Sequence, residues 1–354
     1  MSFDDGAPSP VIGQGQMPGS SASAQSLYFT RKTLYEPNYG IKTANALVPY
    51  GWSSSVSVQW GLLSTMYPAA ATVTMLSPDG RAKIEIMSTV GYLQMARNGS
   101  WIPEGTYLDL YNIFLNYRDA AGYNDYILGV LGYTGTVLNR EKPDYEFQLA
   151  LNAEANSFLA AMSTSGITGK ECAGSYEKTA YFITGGDAYE AEVVSTVIMA
   201  RTINGLFDTY TWTVPITAVF TAYDEEAYAA YADAFTLTVA NTSFCGQFLY
   251  VVQRNAQYLN EMMHDYLMES VYKPSSSDIS GWAGDYSESQ QDKWVNAWCD
   301  VITERDEYVT SDGSSVKIPT MYDAVYQNGD TIYMGPQADL GSDWQQLSVK
   351  PYMQ

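Results

Sequence analysis

The sequence is poor in the residues that most enzymes use for proton transfer and metal binding. In 354 residues there is one histidine, His264, and the three cysteines, Cys172, Cys245 and Cys299, lie far apart. Histidine is the commonest proton shuttle near neutral pH, and thiolate metal sites need closely spaced cysteines. Three dispersed cysteines also do not make a secreted disulfide framework. The sequence therefore argues against histidine- or cysteine-based catalysis, and we expect no metal and no cofactor.

Basic residues are scarce as well. Lysine and arginine total 18 against 39 aspartate and glutamate residues, which gives a formal net charge of -21. Such a chain repels phosphate groups, so the sequence predicts no nucleic-acid partner and no attraction to an anionic membrane surface. No apolar run reaches the roughly 20 residues that span a bilayer, and we expect no membrane insertion. The N terminus lacks the basic and apolar regions of a signal peptide. The location expected by default is cytoplasmic, or secreted or surface-tethered if the N terminus was trimmed.

Aromatic side chains, in contrast, are abundant. The chain has 30 tyrosines and 8 tryptophans, and aromatic residues make up 14% of it while charged residues make up 16%. The apolar fraction of 46% is ample for a buried core. Surfaces rich in tyrosine and poor in lysine are typical of binding faces. The composition therefore favours a folded binding protein.

The predicted fold class is α+β, with a curved, mainly antiparallel sheet flanked by helices and a small C-terminal antiparallel β module. The pattern of composition divides the chain into five parts. These are a disordered tail (1–25), an α+β domain (26–245), a long amphipathic helix (246–273), a linker (274–293) and the β module (294–354).

Within this outline, turn signals and periodicity predict particular elements. Strand-like alternation at Ala70–Met75 and Ala82–Met87 flanks a Ser77–Gly80 turn, and Asn328-Gly329 indicates a second hairpin near the C terminus. Helices are expected at 108–118, 141–161, 224–234 and 245–272, and strands at 176–184, 189–202, 210–222 and 235–239.

Three of these features together resemble the PsbP/Mog1-like fold over about residues 28–245. They are Val48–Trp52, which matches a P-x-G-W-type opening strand, the Ser77–Gly80 hairpin, and Phe235–Ser243, which is similar to a closing strand. The resemblance implies a curved antiparallel sheet packed between helices. It also implies that the protein binds other macromolecules, since that fold is used mostly for binding, and no catalytic residue carries over.

The C-terminal segment, about residues 294–347, resembles a module found at the end of uncharacterised bacterial proteins. The residues that carry this resemblance are Trp298–Ile302, Tyr322–Tyr326 and the Asn328-Gly329 turn. The module has no settled activity, so the resemblance implies architecture and not chemistry.

Acidic residues leave a catalytic alternative open. Two carboxylates beside an aromatic wall suffice for a glycosidase-like hydrolase without histidine. Candidate acids for such a pair are Asp224, Glu225, Glu226, Asp285 and Glu288. Glu261 and His264 have the spacing of half a carboxylate-bridged metal site, but no second such pair exists. Aspartates near glycines follow no calcium-loop pattern, and we interpret them as turn residues.

The favoured function is a non-catalytic binding or interaction protein that contacts an unidentified protein or glycan through Tyr and Trp surfaces. The alternative is the carboxylate-based hydrolase acting at an aromatic-lined cleft. No catalytic residue is predicted. The candidate binding residues are Trp282, Tyr286, Trp298 and Trp344, while Tyr322 and Tyr326 are expected in the core of the C-terminal module.

Overall fold

The computed structural model describes two stretches of the chain. The first is residues 27–270 without 63, 65, 108–112, 163–166 and 168, and the second is residues 305–350 without 320, 321, 323 and 339. The predicted tail at 1–25 and the predicted linker at 274–293 lie outside the described residues. The division of the chain into domains stays a prediction.

The first stretch forms a large antiparallel sheet. Its strands are β3 (Ser53–Trp60), β4 (Ala69–Leu76), β5 (Ala82–Met87), β6 (Val90–Arg97), β7 (Ser100–Trp101), β8 (Thr134–Glu141), β9 (Gly169–Gly185), β10 (Glu190–Asn204), β11 (Phe207–Val214) and β12 (Thr217–Ala222). Strand β10 is central: β9 pairs with one edge, and β12 and then β11 pair with the other. From there β12 continues to β5, β4 and β3, while β11 continues to β6 and β7.

Two strands from the N-terminal part share a second sheet with the C-terminal segment. This six-stranded sheet contains β1 (Leu27–Tyr35), β2 (Lys42–Pro49), β13 (Ser243–Phe244), β16 (Ala324–Asn328), β17 (Thr331–Gly335) and β18 (Gln345–Gln346). Strand β17 pairs with β1, so the C-terminal strands extend a sheet that begins at the other end of the chain. A small third sheet contains β14 (Arg305–Val309), β15 (Ser315–Pro319) and β19 (Ser348–Val349).

Four helices pack on these sheets: α1 (Ala120–Val130), α2 (Tyr145–Ala161), α3 (Glu225–Ala240) and α4 (Gly246–Ser270). Helix α1 shares one hydrophobic cluster with one face of the large sheet. Helices α2, α3 and α4 share another cluster with the opposite face. The α+β prediction, with helices flanking a mainly antiparallel sheet, is confirmed.

The predicted hairpins form where local turn chemistry specifies them. Strands β4 and β5 pair as predicted, and the Ser77 hydroxyl donates to the Asp79 carboxylate over 2.6 Å inside the turn. Gly80 has φ +72° and Gly329 has φ +55°, a region that glycine enters without the steric cost of a side chain. Strands β16 and β17 then pair on either side of Gly329.

One predicted helix and one predicted strand are wrong. In the described part of 108–118, Leu115 donates its amide to the Leu93 carbonyl, so the chain lies along the sheet. The helix begins only at Ala120, after Asp119 caps it by accepting from the Gly122 amide. Residues 235–239 continue α3 instead of forming a strand, because their apolar side chains are buried against the sheet as part of that helix. The segment taken as a closing strand is therefore mostly helical.

Two other predictions need new boundaries. The expected helix at 141–161 starts at Tyr145, where the Asp144 carboxylate accepts from the Phe147 amide over 2.8 Å. The expected strand at 210–222 is divided at Pro215, which has no amide hydrogen to give to a neighbouring strand. The carbonyl of Pro215 instead accepts from the Thr89 hydroxyl over 3.0 Å.

Candidate functional site

A group of aromatic rings reaches the surface at the β6–β7 end of the large sheet. Trp101 on β7, Tyr210 on β11 and Tyr117 in the segment before α1 form what we call the ring surface. The Trp101 and Tyr210 ring centroids are 5.6 Å apart, and those of Tyr117 and Tyr210 are 5.5 Å apart with planes inclined by 14°. Trp101 is 45% exposed, and the two tyrosines are half-buried. The rings therefore present aromatic area to solvent while packing on one another.

Strand register brings these residues together. Tyr210 is paired with Gln94 on β6 and with Arg201 on β10, and Trp101 is paired with Ala96 two residues along β6. Side chains two residues apart share a face of a strand, so Trp101 and Tyr210 occupy the same face. The Gln94 side chain also accepts from the Tyr117 amide over 2.8 Å, which fixes the third ring beside them.

A buried aromatic column supports the ring surface from below. Trp212, two residues beyond Tyr210, is fully buried and lies 6.0 Å from the Tyr117 ring. Tyr92 and Tyr123 pack on it with centroid distances of 4.6 and 5.9 Å. Such tilted and edge-on contacts add to the area that large rings bury. Burial raises the pKa of Tyr117 to about 12.

Helix α1, which follows Tyr117, is fastened to the sheet by a buried amide. The Asn124 side chain is fully buried and donates to the main-chain carbonyls of Glu177 and Val193 over 3.0 and 3.1 Å. Its oxygen accepts from the Ser195 hydroxyl over 2.6 Å. Because buried polar groups are costly unless bonded, these contacts specify one position for α1 and hence for the segment that carries Tyr117.

The charges around the ring surface are paired with one another. Arg201 makes a two-pronged contact with Asp208, at 2.9 and 2.8 Å, and donates to Glu171 over 3.1 Å. Its guanidinium carbon lies 5.1 Å from the Tyr210 ring centroid, within cation–π range. Hydrogen bonds from Arg201 to Asp208 and Glu171 raise the pKa of the guanidinium further above its ordinary value. This site thus holds two carboxylates and one guanidinium beside an aromatic wall.

A second set of rings contains one of the predicted binding residues. Tyr28 on β1, Tyr333 on β17, Tyr326 on β16 and Trp344 form what we call the C-terminal platform. Centroid distances are 5.1 Å for Tyr28–Tyr333, 6.0 Å for Tyr326–Tyr333 and 6.4 Å for Tyr28–Trp344. The central ring, Tyr333, is only 3% exposed. Tyr28 is 37% exposed, and Tyr326 and Trp344 are half-buried, so only the central ring is covered by its neighbours.

The structure places the other predicted residues as follows. Trp344 is half-buried in the platform, Tyr322 is buried as expected for a core residue, and Tyr326 is half-buried. Trp282, Tyr286 and Trp298 lie outside the described residues. The side chain of His264, in the last part of α4, also lies outside them.

Of the five acids proposed for a catalytic pair, Asp224 and Glu226 have structural partners. Asp224 caps α3 by accepting from the Ala227 amide over 2.8 Å. Asp79, Asp224 and Glu226 all approach Arg81, at 3.0, 3.5 and 2.9 Å. Glu225 is exposed, and Asp285 and Glu288 lie outside the described residues. Within the described ranges, no three His, Cys, Asp or Glu side chains are placed to hold a metal ion.

A further acidic group on the opposite face of the sheet escaped sequence analysis. Glu192 is buried, accepts from the Tyr228 hydroxyl over 2.6 Å, and lies 3.1 Å from the Lys178 ammonium. Burial, and then the charges of Glu192 and Glu225, raise the pKa of neighbouring Glu190. This arrangement joins α3 to the sheet, because Tyr228 belongs to the helix and Lys178 and Glu192 to the strands.

Sequence analysis also missed the ring surface. The available signal was the alternation of Tyr210 and Trp212, which places two large rings on one face of a strand. Trp101 and Tyr117 gave no such signal, because each of them meets Tyr210 only through contacts between segments that are far apart in the sequence.

Comparison with known proteins gives one weak structural resemblance. No family model matches the chain, and no curated protein matches it. The match is to the solution structure of cyanobacterial PsbP (CyanoP) from Synechocystis sp. PCC 6803. The alignment covers 65% of this chain and 98% of the PsbP chain, with 12% sequence identity and a TM-score of 0.26. This score is too low to support an argument about ligands or mechanism. The comparisons give no support to the resemblance of the C-terminal segment to a bacterial module. No helix in the described part of the chain is long and apolar enough to cross a membrane.

Proposed function

We propose that the protein is a non-catalytic binding protein and that its ligand contacts the ring surface. The observation that carries the proposal is the tilted packing of Trp101 against Tyr210 while Trp101 itself is 45% exposed. Tryptophan and tyrosine contribute most to binding where they offer rigid, partly apolar area. The column beneath the ring surface supplies that rigidity, since Trp212 is fully buried.

The bonding of the nearby carboxylates argues for binding rather than catalysis. Asp208 and Glu171 both accept from Arg201. A glycosidase needs one carboxyl group that is protonated when the substrate binds. Here both carboxylates already accept hydrogen bonds from the same guanidinium. A substrate would have to compete with that contact, so the geometry of the pair favours binding over catalysis.

A carboxylate-based hydrolase is the second candidate. The observation in its favour is that Glu171 and Asp208 converge on one guanidinium beside the Tyr210 ring. On this alternative, a substrate would have to displace Arg201 from one of the two carboxylates.

One experiment distinguishes the binding protein from the hydrolase. The full chain and its Trp101→Ala variant are applied to a printed glycan array and to a random-peptide display library, and bound material is examined by mass spectrometry for cleavage. Binding that disappears in the variant, with no cleavage product, is the expected result. Cleavage that is lost in Glu171→Gln would establish the hydrolase instead. Binding that is equal in both proteins would show that the ring surface is not the site.

A further inference from the structure

We infer that the ligand of the ring surface is an uncharged glycan, an inference that rests on the proposed function and names its ligand class. The surface offers two kinds of contact on one face: exposed aromatic rings and a row of paired charged groups. A sugar ring has matching parts, since its C–H face is apolar and its hydroxyl groups both donate and accept hydrogen bonds.

The apolar contact comes from the rings. Trp101 and Tyr210 lie side by side on the same face, with centroids 5.6 Å apart. Trp101 is 45% exposed and can take the C–H face of a sugar on its solvent-facing side. Little conformational entropy is lost on binding, because the rings already pack on one another.

The polar contact comes from the neighbouring row. Glu171, Arg201 and Tyr210 occupy paired positions across β9, β10 and β11. The Glu171 side chain is 59% exposed, so its carboxylate can accept from a hydroxyl while it keeps its contact with Arg201. Hydrogen bonds to ionised groups are stronger than neutral ones and are sensitive to direction. Hydroxyl groups of a sugar meet this geometry, and no charge has to be added or removed.

Charge decides between a neutral and an ionic ligand. Around the ring surface Arg201 is engaged by Asp208 and Glu171, and Arg118 is engaged by Glu104. A sulfated or uronic-acid polymer would have to compete with these carboxylates for the guanidinium groups. The whole chain, at a net charge of -21, would also repel a polyanion over long range. The balance of charges therefore fits an uncharged ligand.

The test is isothermal titration calorimetry of the full chain with defined hexasaccharides. The neutral probes are cellohexaose, mannohexaose and chitohexaose, and the charged probe is hexagalacturonate, each at low and high salt. The variant Trp101→Ala removes the exposed ring. Its matched control is Phe207→Ala, which is 42% exposed and lies on the opposite face of β11, three residues from Tyr210. Urea unfolding of both variants confirms that each is folded.

We expect at least one neutral hexasaccharide to bind, with little dependence on salt, and Trp101→Ala to weaken it by at least about tenfold while Phe207→Ala changes it less than about twofold. Preferential, salt-sensitive binding of hexagalacturonate would overturn the inference, and so would binding that Trp101→Ala leaves unchanged. Failure of every neutral probe would overturn it too. If the display library then yields a peptide whose binding depends on Trp101, the proposed function stands and the ligand class is wrong; without such a peptide both fail.

Discussion

The ring surface and the C-terminal platform contain the same residue types, yet they differ in what their rings cover. In the ring surface the outermost ring, Trp101, is 45% exposed and rests on a column that ends at the fully buried Trp212. In the platform the exposed ring is Tyr28, at 37%, which packs on the buried Tyr333, and the tryptophan, Trp344, is half-buried. Aromatic density alone therefore does not indicate a binding face. The two surfaces differ in which ring faces solvent: a tryptophan, with the paired charges of Arg201 nearby, in the ring surface, and a tyrosine in the platform.

The largest predicted effect tests the support beneath the ring surface. Trp212→Ala removes a fully buried indole whose N–H donates to the Leu115 carbonyl. We expect it to lower the free energy of unfolding by about 3–5 kcal/mol, measured by urea denaturation. Trp101→Ala is the control, and it should cost less than about 1 kcal/mol because the side chain is partly exposed. Equal losses would show that the column does not support the surface.

A substitution in the C-terminal platform should lower stability but, unlike one in the ring surface, leave ligand binding unchanged. Tyr333→Ala removes a buried ring that contacts both Tyr28 and Tyr326. A loss of about 2–4 kcal/mol in the free energy of unfolding is expected, with ligand affinity at the ring surface unchanged. Urea denaturation checks the loss of stability, and calorimetric titration checks the ligand affinity. A loss of ligand affinity in the folded variant would mean that the platform takes part in binding.

The contrast between the two surfaces also shows what sequence reasoning could reach. The turns at Ser77–Gly80 and at Asn328-Gly329 could be predicted from the sequence because their chemistry is local. Trp344 could be proposed as a candidate binding residue because it lies in a segment dense in aromatic residues. The helix at 235–239 was inaccessible, since packing of α3 on the sheet overrides the strand preference of its β-branched residues. The ring surface could not be predicted because its residues come together only when strands that are distant in the sequence pair with one another.

A smaller effect tests the charge pairing at the ring surface. Arg201→Lys keeps the positive charge but loses the two-pronged geometry toward Asp208. We expect a loss of about 1 kcal/mol in the free energy of unfolding, because the Arg201 side chain is partly exposed and its pairs are screened by solvent. Denaturation at low and high salt gives the measurement. A stability equal to that of the unmodified protein would mean that the guanidinium geometry contributes nothing.

The smallest effect concerns the contact between the C-terminal segment and β1. Hydrogen bonds from Thr310 and Ser314, and a contact with Arg31, hold the pKa of Asp312 below its usual range. A lowered pKa in the folded state stabilises the fold above the unfolded pKa, near 3.9, and this contribution is lost as the pH falls through the folded value. Since the carboxylate is 59% exposed, screening keeps the contribution below about 1 kcal/mol.

Asp312→Asn is the variant that tests this contact. At pH 7 it should unfold at slightly lower urea concentration than the unmodified protein, and the difference should shrink as the pH is lowered from 5 toward 2. Binding at the ring surface should be unaffected at pH 7. A difference in stability that stays constant across this pH range would contradict the assignment to the ionised carboxylate.

Calorimetry at one salt concentration compares the affinity of a neutral hexasaccharide for Trp101→Ala with its affinity for Trp344→Ala. Both variants lose a tryptophan, one from the ring surface and one from the C-terminal platform. The predicted result is at least about tenfold weaker binding for Trp101→Ala and an unchanged affinity for Trp344→Ala. Weaker binding in Trp344→Ala with full affinity in Trp101→Ala would contradict the account and assign the site to the platform.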